Sequence, residues 1–166
     1  MRAKTLLGRK LGRTTMAIAF CAVVGLGLAG CFPDTSATPP SDPLVNDMYN
    51  ALNQDRANAG LPALTWSPKL ANNAGTWAYQ MATVNSLYHQ NLAALIATSD
   101  YAPYYTLGEN ILVGPGDMSG AAMEGAWKAS PPHWANISSR SFNVVGIGYV
   151  HGPDGRLWAV QEFGGL

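Results

Sequence analysis

Cysteine, histidine and usable positive charge are all scarce in this chain. Two cysteines and three histidines stand among 166 residues, and only 12% of the side chains are charged. Cys21 lies inside an apolar N-terminal run and Cys31 at its end. The remainder therefore has no thiol pair, which excludes a disulfide framework and a cysteine-based zinc site. Five of the ten basic residues (Arg2, Lys4, Arg9, Lys10 and Arg13) precede that run, whereas all ten acidic residues follow Cys31. Beyond Cys31 the chain carries five Lys and Arg against ten Asp and Glu, a net charge of −5. An acidic domain without a basic stripe argues against nucleic acid as a partner and against electrostatic docking on anionic lipid. There is no G-x-S-x-G and no H-E-x-x-H, so neither the nucleophile elbow nor the helical zinc-protease motif is available.

What is present begins with an export signature. The basic n-region leads into the charge-free run MAIAFCAVVGLGLAGC (Met16 to Cys31). That is short of the roughly 20 apolar residues of a membrane span and reads as a secretory signal. Its end, Leu28-Ala29-Gly30-Cys31, resembles the lipobox of bacterial lipoproteins, where cleavage precedes the cysteine and the cysteine is lipidated. Gly25, Gly27 and Gly30 spell G-x-G-x-x-G, but inside an export signal the spacing has no strand–turn–helix context and no meaning. The expected organisation is a lipoprotein signal peptide over 1–30, a lipidated Cys31 with a Pro/Ser/Thr-rich tether over 31–42, and one domain over 43–166. Localisation at the cell envelope follows, with the membrane engaged through lipid on Cys31.

Within the domain the local signals are clear. Asp42 and Pro43 cap and start a helix whose apolar residues Leu44, Val45, Met48 and Leu52 recur at helical spacing, and Gly60 is placed to stop it. Ser67 and Pro68 repeat that grammar for a second helix bearing Leu70, Ala74, Trp77, Ala78 and Met81. NLAALIATS (Asn91 to Ser99) predicts a short third helix and SGAAMEGAWKAS (Ser119 to Ser130) a fourth, stopped by Pro131-Pro132. NVVGIGYV and LWAVQEFG, separated by HGPDGR, predict a hairpin. Helices first and a small sheet after make an α+β protein. One feature resists this pattern: Glu109 and Asn110 sit in the otherwise apolar LGENILV, where a buried carboxylate needs partners.

Taken in order, LPALTWSPKLANNAGTWAYQMA, LYHQNL, LGENIL, AWKASPPHWANI, VVGIGYV and WAVQEFG resemble the CAP superfamily, also called the SCP or cysteine-rich secretory protein domain, in its short cysteine-free bacterial branch. The resemblance runs from about Leu44 to Gly164. It implies an α-β-α sandwich around a small central antiparallel sheet, with a cleft lined by two histidines and two acidic residues. Carried onto this sequence, the histidines are His89 and His133 and one acid is Glu109. The second acid departs, because the position three after Trp127 is Ser130. Glu124, one turn earlier, has no motif match.

Two imidazoles and a carboxylate from distant segments suit zinc or another divalent cation, weakly held, with a position left for water. Asn110, Ser130 and Trp134 are expected to support the cleft. His151 falls at the hairpin and is read as a solvated surface residue. Tyr101, Tyr104 and Tyr105 are read as cover for the core. The expected role is a monomeric binding module, for which the resemblance implies a lipid, sterol-like or cell-wall ligand. The alternatives are a metal-dependent hydrolase using water activated at His89, Glu109 and His133, and a structural envelope protein.

Overall fold

The computed structural model describes residues 40–166. The expected signal peptide, Cys31 and the expected tether up to position 39 lie outside the described residues. The capping reading holds in atomic detail. Asp42 accepts hydrogen bonds from the Leu44 and Val45 amides at the head of α1 (Pro43–Asn58), and Gly60, at φ +68°, follows its end. Ser67 accepts from the Leu70 amide to start α2 (Pro68–Val84), which closes on Asn85 in the left-handed region. Proline fits both starts because its missing N–H is one the first helical turn cannot satisfy anyway.

Between these helices lies a two-residue strand, β1 (Thr65–Trp66). After α2 come α3 (Leu92–Ile96), a 3-10 turn (Ser99–Tyr101) and β2 (Thr106–Gly114). Helix α4 (Gly120–Lys128) is capped by Ser119 as expected. Pro131-Pro132, expected only to stop that helix, instead start another, α5 (Pro131–Ile137), with Pro131 at its first position. Strands β3 (Val144–His151) and β4 (Leu157–Gly165) form the hairpin, with Gly155 at φ +76° in its turn.

The sheet order is β1-β3-β4-β2. Its three long strands are antiparallel, and β1 adds to β3 in parallel. Period-two alternation then separates two cores. Val145 and Ile147 of β3 and Leu157, Ala159 and Phe163 of β4 pack with Val45, Met48 and Leu52 of α1, Met123 and Trp127 of α4 and Ile137 of α5. The opposite parity, Ile111, Trp158 and Val160, packs with Ala74, Ala78 and Met81 of α2. The result is the α-β-α sandwich. Helix α2 approaches β3 closely because Gly146 and Gly148 face it. A Cβ on Gly148 would lie 2.2 Å from the Gly75 backbone nitrogen, and one on Gly146 would lie 2.0 Å from that of Ala71. Tyr101 and Tyr104 are buried with Leu70 and Val144, covering one end of the core as expected, while Tyr105 stays exposed.

Candidate functional site

Strand β2 is an edge of the sheet, and it carries Glu109 and Asn110 at its middle. Consecutive strand residues point to opposite faces. Glu109 therefore turns toward the α2 layer and Asn110 toward the α4–α5 layer. Each has a polar neighbour across the ladder, since Glu109 pairs with Glu162 and Asn110 with Gln161. All four are buried.

On the α2 face the Glu109 carboxylate is fully engaged. The His89 Nδ1–H donates to Oε1 at 2.7 Å, the Gln90 amide donates to the same oxygen at 3.1 Å, and Gln90 Nε2 donates to Oε2 at 2.8 Å. A neutral imidazole that donates from Nδ1 keeps its lone pair on Nε2. The His89 side chain is 59% exposed, against 1% for Glu109. A buried acid thus orients an accessible imidazole. Asn73 Nδ2 joins this set to Glu162, donating to Gln90 Oε1 at 2.8 Å and to Glu162 Oε2 at 2.6 Å. Glu162 Oε1 has no partner among the described residues. Burial, and then the charge of Glu109, push the Glu162 carboxyl up to about 8, against the opposing hydrogen bonds of Asn73 and Gln90.

On the other face, Asn110 Nδ2 donates to the His133 carbonyl at 3.2 Å and to Gln161 Oε1 at 3.0 Å. Asn136 Nδ2 donates to Asn110 Oδ1 at 2.9 Å and to the Glu109 carbonyl at 3.0 Å. Gln161 Nε2 donates to Glu124 Oε2 at 2.5 Å, and burial raises the Glu124 carboxyl to about 7. The half-buried His133 ring is held below the ordinary imidazole value, by desolvation first and by the charge of His89 second. The two histidines thus approach the edge of β2 from opposite layers.

The remaining sequence expectations fall as follows. Asn110, expected to support the cleft, bonds the His133 carbonyl and so ties α5 to β2. Ser130 caps α5 only through its backbone, where its carbonyl accepts from the Trp134 amide. Trp134, expected in the cleft wall, is half-buried and packs against the α1–α4 core. His151 is exposed and bonds the Gly116 carbonyl through Nε2. Sequence reading passed over Gln90, Asn73, Asn136, Gln161 and Glu162. The last two carry the same signal that drew attention to Glu109, namely polar residues in the middle of an apolar strand.

Among the described residues no group of three or more His, Cys, Asp and Glu side chains converges as a divalent-metal site of that size would require. Both Glu109 oxygens already accept from protein donors, and His89 Nδ1 is occupied by Glu109.

Comparison with known proteins agrees with the architecture. The chain is 29% identical over 132 residues to the fruiting body protein SC7 of Schizophyllum commune, spanning 73% of this chain and 57% of that relative's length. Among solved structures, an outer surface protein of Borrelia burgdorferi superposes with a TM-score of 0.63 at 18% identity, covering 71% of this chain and 89% of that one. An extracellular protein containing an SCP domain from Bacillus anthracis gives a TM-score of 0.59 at 22% identity, covering 72% of this chain and 39% of that one. The model of the cysteine-rich secretory protein family matches residues 49–163, more than half of the sequence. The chain belongs to the cysteine-rich secretory protein, or CAP, family.

Proposed function

We propose that this protein is an exported, lipid-anchored CAP module that binds a small envelope molecule in the cleft at the open edge of β2. The observation carrying this reading is the Glu109 carboxylate, buried and held by three donors, which presents an exposed His89 whose Nε2, in the neutral ring, accepts a hydrogen bond. No serine, threonine or cysteine is bonded to His89 among the described residues, so a hydrolase at this site would have to use water as its nucleophile. Leu107 lies two residues before Glu109 on the same face of β2, and it borders an apolar groove of about 220 Å³ with Leu92, Ala93, Ile96, Tyr105 and Thr106. A donor group at His89 beside an apolar groove suits a ligand with a hydroxyl or amine head and an apolar body. The extracellular relative and the lipobox-like Leu28–Cys31 support action outside the cytoplasm.

The test is thermal stabilisation of the purified protein by a fatty alcohol, a sterol and a soluble peptidoglycan fragment, compared with His89→Ala. Saturable stabilisation lost in the variant supports the reading, and equal responses refute it. Product formation that a chelator abolishes would return the hydrolase alternative. Release of Cys31→Ala from the membrane fraction checks the anchor.

A further inference from the structure

The α4–α5 face of the site contains a chain of amides with a single direction, half-buried at Asn136 and fully buried at Asn110 and Gln161. Asn136 donates to Asn110, Asn110 donates to Gln161, and Gln161 donates to Glu124. A row of amides can in principle run either way, and the groups at its ends decide which. At one end stand two main-chain carbonyls, Glu109 O and His133 O, which only accept. They require N–H from Asn136 and Asn110. Each amide oxygen then faces the next N–H, and the last N–H, Gln161 Nε2, must find an acceptor inside the protein. Glu124 supplies it. Glu124 is 1% exposed and ties α4 to β4, while the Trp127 indole of the same helix donates to the Ile111 carbonyl of β2.

We propose that Glu124 is a positioning residue of the His89–His133 cleft, the terminal acceptor that fixes the direction of the Asn136–Asn110–Gln161 relay and thereby holds α5 and His133 against β2. The inference rests on the reading that His133 belongs to the ligand cleft. It also answers the departure at Ser130, because an acid is retained on α4 and reaches the site through amides rather than by contact. Without an acceptor at position 124, the Gln161 amide would be buried with an unsatisfied N–H. Turning it over would set its N–H against that of Asn110. Asn110 would have to turn in its own place, bringing its oxygen against the His133 carbonyl and releasing α5. Protonation does not break the relay, since a neutral carboxyl bearing its proton on the unpartnered Oε1 keeps Oε2 as acceptor. This is consistent with burial raising the group's titration.

The experiment compares Glu124→Gln, which keeps an acceptor oxygen, with Glu124→Met, which does not. The readouts are Asn110 and Asn136 side-chain amide resonances and hydrogen exchange at the Trp134 and Ser138 amides of α5, with α2 amides as the internal reference. Glu124→Met is expected to shift the Asn110 and Asn136 resonances and to speed α5 exchange roughly three- to tenfold relative to α2. Glu124→Gln should restore wild-type behaviour. Uniform loss of protection in α2 and α5 together, or unmoved Asn110 resonances, would overturn the proposal in favour of a packing role. Should Glu124→Met fail to fold, Gln161→Met cuts the relay with Glu124 in place and must give the same selective α5 effect. No ligand is needed, so failure here is separable from failure of the binding reading.

Discussion

Gly148→Ala tests how closely the α2 layer is bound to the sheet. The added methyl would sit 2.2 Å from Gly75 N, 2.5 Å from Gly75 Cα and 2.8 Å from the Ala74 carbonyl carbon, where ordinary contact begins at 3.4 Å. All three neighbours are backbone, so no side chain can rotate away. Helix α2 must move off β3 by about 1 Å, and it would take the packing of Ala74, Ala78 and Met81 with it. Overpacking of this kind costs typically 1–3 kcal/mol, and a backbone clash belongs at or above the upper end. A loss of about 3 kcal/mol is expected, a large share of the 5–15 kcal/mol of a typical domain. Gly125→Ala is the matched control. It lies inside α4 with nothing within 4 Å of the new methyl. It should stabilise by about 0.5–1 kcal/mol through helix propensity. Urea denaturation followed by tryptophan fluorescence measures both. A Gly148→Ala loss below about 1 kcal/mol, or a destabilising Gly125→Ala, would refute the geometry. Because α2 also carries Asn73, Gly148→Ala should weaken ligand binding as well.

Other perturbations have equally definite outcomes. Arg56 is fully buried and donates to the Pro62, Ile137 and Ser139 carbonyls. Arg56→Met should cost about 3 kcal/mol by denaturation, with Arg56→Lys recovering only part of it, because an ammonium cannot reproduce the fork. Glu162 and Glu124 have folded-state values of about 8 and about 7, above their unfolded value of 4.5. Their contribution is therefore fully present below about pH 4.5 and is lost as pH rises through 7 to 8. Melting curves should show this decline, and Glu162→Gln, a neutral isostere, should flatten it; a steeper decline in the variant would contradict the assignment. Glu109→Gln places an amide N–H against Gln90 and should cost about 1–2 kcal/mol, whereas the exposed His89→Ala should cost under about 1 kcal/mol. Calorimetric zinc titration should give no saturable heat that depends on both His89 and His133.

The elements legible from sequence were those whose signals are local. Asp42-Pro43 and Ser67-Pro68 declare helix starts because cap and first turn are contiguous, and Pro153-Asp154-Gly155 declares its turn for the same reason. Strand β2 was harder. It is apolar on both faces because helices cover both, so Leu107 to Val113 has no alternation to reveal a strand. Pro131-Pro132 illustrates an ambiguity of proline, which ends one helix and begins the next by the same lack of an N–H. Of the site, Glu109 was marked by its apolar surroundings, and His89 and His133 were named through the family pattern. Their partners were not, because Gln90, Asn73 and Glu162 come from a loop, a helix and a strand that meet only once α2 is folded onto the sheet.

That Glu109 and Asn110 are adjacent has a consequence for how such a cleft can change. One dipeptide supplies both walls, its acid addressing one helical layer and its amide the other. A slip of β2 by one residue against β4 would exchange the two assignments, placing the amide beneath His89 and the acid against the His133 carbonyl. No intermediate arrangement is available, since side chains in a strand have only two directions. Insertions or deletions between Tyr104 and Glu109 therefore act on both walls at once, while substitutions act on one. Variation of ligand preference along this lineage should accordingly accumulate as point changes around a β2 of fixed length.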